Sequence, residues 1–262
     1  MQYNFVTDSS NNMQYNFARE TSNKSVIVIT PTTGSKKLAD AVESVSKQTY
    51  KNLKHLVVVD GPEFFSNAVK NTPVGLDSNV ILHSLPFNTG GSSQGFYGHR
   101  IYAGIPQLVN ADYVFFLDDD NWYEPDHVET LVNVLDKGYD FVFSFRKIFD
   151  KDRNYICDDN CESLGKWPIY FTHNDPQYLV DTSSYAFNRN FLIQVSHLWH
   201  SGWGGDRRFF YAVMQQAKFE TNYKHTLCYR TDGNPGSVNG DFFMNGNAEQ
   251  LKYYEGKLPW LK

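Results

Sequence analysis

Tyr113-Val114-Phe115-Phe116-Leu117-Asp118-Asp119-Asp120-Asn121-Trp122 decides how the rest of this 262-residue chain is read. Five apolar residues run straight into three carboxylates. A short, continuous apolar run with aromatic and β-branched side chains suits a strand buried on both faces. The acids then stand where that strand leaves the sheet, and in open α/β sheets ligands bind beyond the carboxyl ends of the strands. Three adjacent carboxylates repel one another, a repulsion that a cation relieves. Hard oxygen ligands suit Mn²⁺ or Mg²⁺, and Mg²⁺ commonly joins a carboxylate to a substrate phosphate. In an extended chain Asp118 and Asp120 point to one side and Asp119 to the other. That assigns Asp118 and Asp120 to a metal and a nucleotide. It leaves Asp119 for the rest of the ligand or for a supporting contact. A solvated acidic turn after a core strand is the competing reading.

Upstream, Val26-Ile27-Val28-Ile29-Thr30 reads as the first buried strand and Pro31-Thr32-Thr33-Gly34 as a turn. A helix from about Ser35 carries Leu38, Ala41, Val42 and Val45 on one face. His55-Leu56-Val57-Val58-Val59 is the second strand, ending in Asp60-Gly61-Pro62. Strand, helix and strand at this spacing make a βαβ unit and predict a parallel sheet. Asp60 stands at a strand's carboxyl end, where an acid can accept from a nucleobase or ribose, or simply make an Asp-Gly turn. Val80-Ile81-Leu82 is a third strand. The glycine-rich stretch Asn88 to Arg100 lacks the Gly-Lys-Ser/Thr ending of a Walker loop. A helix from about Phe96 to Leu108 follows, containing His99 and Arg100. Arg100 is placed either to meet a diphosphate or to make an ordinary surface ion pair.

Downstream, Pro125 fits the first turn of a helix with Val128, Leu131, Val132 and Leu135 buried. Phe141, Phe143 and Phe145 alternate with Val142, Ser144 and Arg146, a period-two strand expected to be antiparallel. Residues 150–180 read as an irregular excursion on the substrate side. Asp181 to Phe187 enters another strand, with Asn190 as a candidate helix cap. Trp199 to Arg208 holds two tryptophans and three glycines in a loop able to fold against a sugar. It precedes a helix with Phe209, Phe210, Val213, Met214 and Ala217 on its apolar face. Asp206, at that helix's N-terminus, is either a dipole-complementing acid or a general base. Leu227 to Arg230 is a last strand, and Thr231 to Ser237 a polar loop able to return to a phosphate.

Composition bounds the class. Charged residues make up 20% and hydrophobic ones 41%, values of a globular chain rather than a disordered one. A net charge of −5 without a Lys/Arg cluster argues against nucleic acid. Three cysteines argue against a disulfide-stapled secreted fold. No apolar run reaches the roughly 18 residues a membrane span needs. The N-terminus lacks a basic-then-apolar signal pattern. The expectation is a soluble cytoplasmic protein, with peripheral membrane contact left open. Residues 1–24, in which Met1-Gln2-Tyr3-Asn4-Phe5 recurs as Met13-Gln14-Tyr15-Asn16-Phe17, are expected to be loosely ordered.

From Val26 to Ser237 these pieces resemble the family 2 glycosyltransferases of the GT-A fold. The resemblance rests on Val26–Pro31, Gln48-Thr49-Tyr50, Val57–Gly61, the glycine-rich segment through Gly104, Leu117–Pro125 and Gly205-Asp206. Its most specific part, Phe116 to Trp122 followed by Pro125, is similar to the family's DXD strand. The resemblance implies one α/β domain over 25–262, with a mostly parallel sheet, flanking helices and a small antiparallel part. It implies an inverting, metal-dependent transfer from a nucleotide-diphosphate sugar to a hydroxyl of a glycan, glycolipid or glycoprotein. Family frequency favours UDP, with dTDP and GDP open. Thr30, Pro31 and Asp60 then fall at the nucleoside, His99 and Arg100 at the donor, and Asp119 at the donor sugar. Asp118 and Asp120 match the first and last acids of DXD, and Asp206 the acid of the family's Glu-Asp base motif, with Gly205 in place of the glutamate. Asp232 stands near where the family often carries a metal-binding His, and Trp203, Gly204 and Gly205 fall at the acceptor. The rival from another class is a non-catalytic sugar-binding or scaffold protein of the same fold, which has no need of Asp118, Asp120 and Asp206 together.

Overall fold

A computed structural model of the chain describes residues 23–73, 78–90, 95–231 and 238–261. The repeated N-terminal segment lies outside them. In chain order the strands are β1 (Val26–Thr32), β2 (Leu53–Val59), β3 (Val80–Ser84), β4 (Tyr113–Phe116), β5 (Trp122–Tyr123), β6 (Phe141–Phe149), β7 (Tyr155–Asp158), β8 (Tyr185–Asn188) and β9 (Phe219–Arg230). The helices are α1 (Leu38–Ser46), α2 (Phe65–Asn71), α3 (His99–Gly104), α4 (His127–Leu135), α5 (Arg189–Val195), α6 (Gly205–Val213) and α7 (Gly240–Tyr253). Among the described residues these nine strands make one sheet in the order β3-β2-β1-β4-β8-β6-β9-β5, with β7 paired on β6.

The apolar runs explain the centre of this sheet. β1 is buried at all seven positions and β4 at all four, so neither face meets water. Alternation sends Ile27, Ile29, Val114 and Phe116 into one core, and Val26, Val28, Phe115 and Leu117 into the other. α3 and α6 cover the first core with Ile101, Tyr102, Phe209, Phe210 and Val213. α1 and α4 cover the second with Ala41, Val45, Val128, Leu131, Val132 and Leu135. Phe116 stacks on Tyr102 at 4.2 Å and meets Trp199 edge-on at 5.6 Å. Burying such a ring contributes about 1.5–3 kcal/mol.

Strand direction places the site. β3, β2, β1 and β4 are parallel, and register sets Thr32 beside Val59 and Ile29 beside Phe116. The residues that follow these strands therefore gather along one edge. β8 runs antiparallel to β4, and β6 antiparallel to β8. The start of β8 and the later half of β6 thus come to the same edge. This is the parallel α/β sheet with an antiparallel part that the sequence predicts.

Several local expectations change. The helix expected over 96–108 is α3 followed by a 3₁₀ turn at Ile105–Gln107. Pro106 lacks an N–H and its ring crowds the preceding turn, so the α-helical ladder stops. The cap of α5 is Asn188, whose side chain accepts from the Asn190 N–H, rather than Asn190 itself. β6 pairs antiparallel with β8 but parallel with β9, and is buried on both faces from Phe141 to Arg146. The stretch 150–180 includes β7, and the last strand is twelve residues long instead of four.

Candidate active site

At this edge a cleft of about 550 Å³ opens across the sheet. β1 delivers Pro31 and Thr32, β2 leads into Asp60, and β4 leads into Asp118, Asp119 and Asp120. Asp181 and Thr182 come from the approach to β8, and Arg146 from β6. The start of α3 adds Gly98 and His99, and the start of α6 adds Asp206 and Arg207, with Trp203 and Gly204 just ahead.

The acids differ in their surroundings. Asp118 Oδ1 accepts from the Tyr102 hydroxyl (2.9 Å) and Oδ2 from the Ser183 hydroxyl (3.1 Å). Burial, and then the charges of Asp120 and Asp181, push its pKa up to about 8, against the pull of those two hydroxyls. Asp119 accepts from the Thr32 hydroxyl. Residues 118–121 form a turn, closed by the Asn121 N–H to the Asp118 carbonyl, so the alternation of an extended chain does not govern where these acids point. The Asp120 carbonyl accepts from Arg230 Nε (3.1 Å), which ties the turn to β9. Asp60 is buried and accepts from the Thr89 N–H (2.7 Å), holding the segment after β3 against β2.

Oxygen donors and the mutual repulsion of Asp118 and Asp120 suit a hard divalent cation. Among the described residues no three His, Cys, Asp or Glu side chains group as ligands. An ion there would be held by two carboxylates, with phosphate and water completing its shell, as Mg²⁺ commonly is. Asp232 and the loop at 233–236 lie outside the described residues.

Other predicted residues divide. His99 lines the cleft, and its Nδ1–H donates to the Ser201 carbonyl (2.8 Å). A carbonyl only accepts, so Nδ1 carries the proton. Arg100 is not among the lining residues. Its guanidinium lies 3.6 Å over the Phe96 ring and donates to the Thr89 carbonyl. Thr30 is buried and hydrogen-bonds with His55 Nε2 (2.8 Å), a core contact. Trp203 and Gly204 line the cleft, with Trp203 75% exposed and Gly204 left-handed at φ +75°. Gly205 packs behind them, where a Cβ would come within 2.6 Å of the His99 ring. Asp206 Oδ1 accepts from the Arg207 N–H (2.7 Å), and Oδ2 has no partner among the described residues.

The cleft also contains residues the sequence did not single out. Thr32, paired with Asp119, lay inside a stretch read only as a turn. Arg146 is 2% exposed and joins three carboxylates, Asp159, Glu162 and Asp181, at 2.7–2.9 Å. These acids lie 13, 16 and 35 residues further along the chain, and no local pattern links them.

A family model described as glycosyl transferase family 2 matches residues 25–210. The glucosyl-dolichyl phosphate glucuronosyltransferase of Haloferax volcanii is 34% identical over 119 residues, 45% of this chain and 36% of that protein. Glycosyltransferase GlyG of Streptococcus pneumoniae is 31% identical over 153 residues, 58% of this chain and 44% of the other. The chain therefore spans less than half the length of these curated relatives. Among solved structures, S. aureus TarS residues 1–349 in complex with UDP-GlcNAc superposes with a TM-score of 0.55 at 15% identity, covering 87% of this chain and 66% of that one. At that identity the likeness concerns the fold, which is the α/β arrangement described above. The family match takes in β1, the acidic turn after β4 and the start of α6, and on that ground the chain belongs to glycosyl transferase family 2.

Proposed function

We propose that the chain transfers a sugar, with inversion and metal dependence, from a nucleotide-diphosphate donor to a hydroxyl of a glycan, glycolipid or glycoprotein. The observation that carries this reading is the meeting of Asp60, Asp118–Asp120 and Asp206 in one cleft at the carboxyl ends of parallel strands. UDP is the favoured nucleotide, since TarS of the same fold was solved with UDP and with UDP-GlcNAc.

Pro31 and Asp60 hold the nucleoside at the β1–β2 side. Asp118 and Asp120 face the diphosphate and would hold the cation. That cation, Mn²⁺ or Mg²⁺, supplies Lewis-acid stabilisation of the leaving diphosphate when bound. Tyr102 and Ser183 fix the Asp118 carboxylate before ligand arrives, so little reorganisation is needed. Asp206 takes the proton of the acceptor hydroxyl through Oδ2. Its other oxygen, tied to the Arg207 N–H, fixes the carboxylate's orientation. Trp203 and Gly204 at the mouth place the acceptor and shield the reacting atoms from water.

A thermal-shift series with UDP, GDP, dTDP and CDP, each with and without Mn²⁺, tests this. One nucleotide should raise the melting temperature only when metal is present, because a ligand that binds only the folded state stabilises it. No shift with any of them would favour the sugar-binding or scaffold alternative.

A further inference from the structure

The charges around Arg146 bear on which sugar the cleft admits. Four of the five N–H donors of Arg146 are committed inside the protein. Nε and Nη2 donate to Asp159 (2.9 and 2.7 Å), Nη2 also to Glu162 (2.7 Å), and Nη1 to Asp181 (2.9 Å). The rings of Tyr229 and Phe243 lie over the guanidinium at 4.6 and 5.3 Å. This buried cation has little left to offer an anionic ligand. One cation among three carboxylates leaves a surplus of negative charge. Burial works against the Asp159 charge, but Arg146 and backbone N–H groups prevail and its pKa is lowered. Glu162 and Asp181 are different: burial outweighs Arg146 and raises both.

Glu162 and Asp181 are also the two that line the cleft. Asp181 is fully engaged, with Oδ1 accepting from the Ser183 N–H (2.9 Å). Glu162 is not. It is 8% exposed, Arg146 binds only Oε2, and Oε1 has no partner among the described residues. The Glu162 side chain is 11% exposed, so its unpartnered oxygen opens onto the cleft, where a ligand can bring the hydrogen-bond donor.

Sheet order says which part of the ligand that is. From β2 and β1, past β4, the next strands across are β8 and β6. If the nucleoside lies over β2 and β1 and the diphosphate beside Asp118, the sugar lies against Asp181, Glu162 and Arg146. We propose that Glu162, held by Arg146 beside Asp181, selects an uncharged sugar by accepting from one of its hydroxyls, while the charges of Glu162 and Asp181 reject a uronic acid. This rests on the transferase reading above. A sugar hydroxyl gives Glu162 Oε1 a charge-assisted hydrogen bond. A uronic acid's carboxylate at the same place meets like charge, and the single uncommitted N–H of Arg146 offers it little compensation, the repulsive half of specificity.

The test uses the nucleotide chosen by the thermal-shift series, as a matched pair of its glucose and glucuronate conjugates, read by competition binding and by donor hydrolysis. The expected result is at least tenfold weaker binding and slower hydrolysis of the glucuronate. Glu162→Gln keeps the shape and removes the charge, and should lower that preference at least fivefold. Asp181→Asn provides the same readout if Glu162→Gln does not fold. Equal use of both conjugates by the unaltered protein overturns the selectivity and leaves the transferase reading standing. A preference unchanged in a variant that still binds the nucleotide overturns the role of these carboxylates. If no nucleotide is chosen at all, both readings fall together.

Discussion

His55 and His127 are buried imidazoles whose pKa values burial depresses to about 3. In the unfolded chain a histidine titrates near 6.5, so acid adds protons to the unfolded state that the folded state refuses. Their contribution to stability is complete above about pH 6.5 and is lost as pH falls toward 3. At pH 5 each costs about 2 kcal/mol relative to neutral pH. Urea unfolding at pH 7.5 and 5, compared between the unaltered chain and His127→Asn, isolates this contribution: the substitution should lessen the acid-induced loss by about 2 kcal/mol, and an identical pH dependence in both would refute the assignment. Asp206 supplies a second residue-scale prediction. Asp206→Asn should lower turnover by about 10²–10⁴-fold with donor affinity nearly kept. If the substitution mainly lowers the melting temperature, Asp206 is a helix-terminus acid and no more. Legibility at this scale followed chain locality. Asp60, Asp118–Asp120 and Asp206 were readable because each stands at the end of an element with a clear apolar pattern. Arg146, Glu162 and Asp181 were not, because their connection exists only in the folded sheet. Thr30 and Arg100 show the converse: near the motifs in sequence, they serve the core and a loop.

Among elements, those with a near-continuous apolar run or a clean helical spacing were legible, and those with a broken pattern were not. β1, β2 and β4 are runs of apolar residues, and α1 and α4 carry theirs at helical spacing. β9 mixes buried and open positions, and Tyr223 within it takes a left-handed φ of 58°, so its pattern is broken where a reader would count alternation. β5 is two residues long and exists because β9 offers Leu227 and Cys228 as partners. The start of α6 gives a prediction at this scale. Its backbone can approach His99 so closely only because residue 205 has no Cβ. Gly205→Ala must push away a ring that the Ser201 carbonyl holds and Trp199 packs against at 5.8 Å. The expected cost is about 1–3 kcal/mol, with a higher acceptor KM than donor KM change, since Trp203 and Gly204 move first. Equal changes in both constants would mean that the helix start is not tied to the acceptor side.

For the molecule as a whole, Arg146 connects parts distant in the chain: β6, the segment after β7, and the approach to β8. Removing one partner of a buried ionic group leaves the others uncompensated, at about 3–5 kcal/mol. Arg146→Met should show that loss at pH 7 and recover part of it at pH 5, where the stranded carboxylates take up protons. A deficit independent of pH would mean that packing, not charge, is what Arg146 contributes. The direction of the strands was foreseeable where βαβ spacing forces it, while the reversal at β8 has no local cue and arises from which strand happens to cover β4. The exposed tryptophan at the cleft mouth has an optical consequence. Of the five tryptophans, Trp122, Trp199 and Trp260 are buried, Trp167 is half-buried and Trp203 stands open. The red edge of the emission spectrum therefore belongs mainly to one ring beside the cleft. Acrylamide should quench that edge first, and an acceptor glycan seated against Trp203 should shift it blue and protect it, so the intact chain carries its own reporter of occupancy.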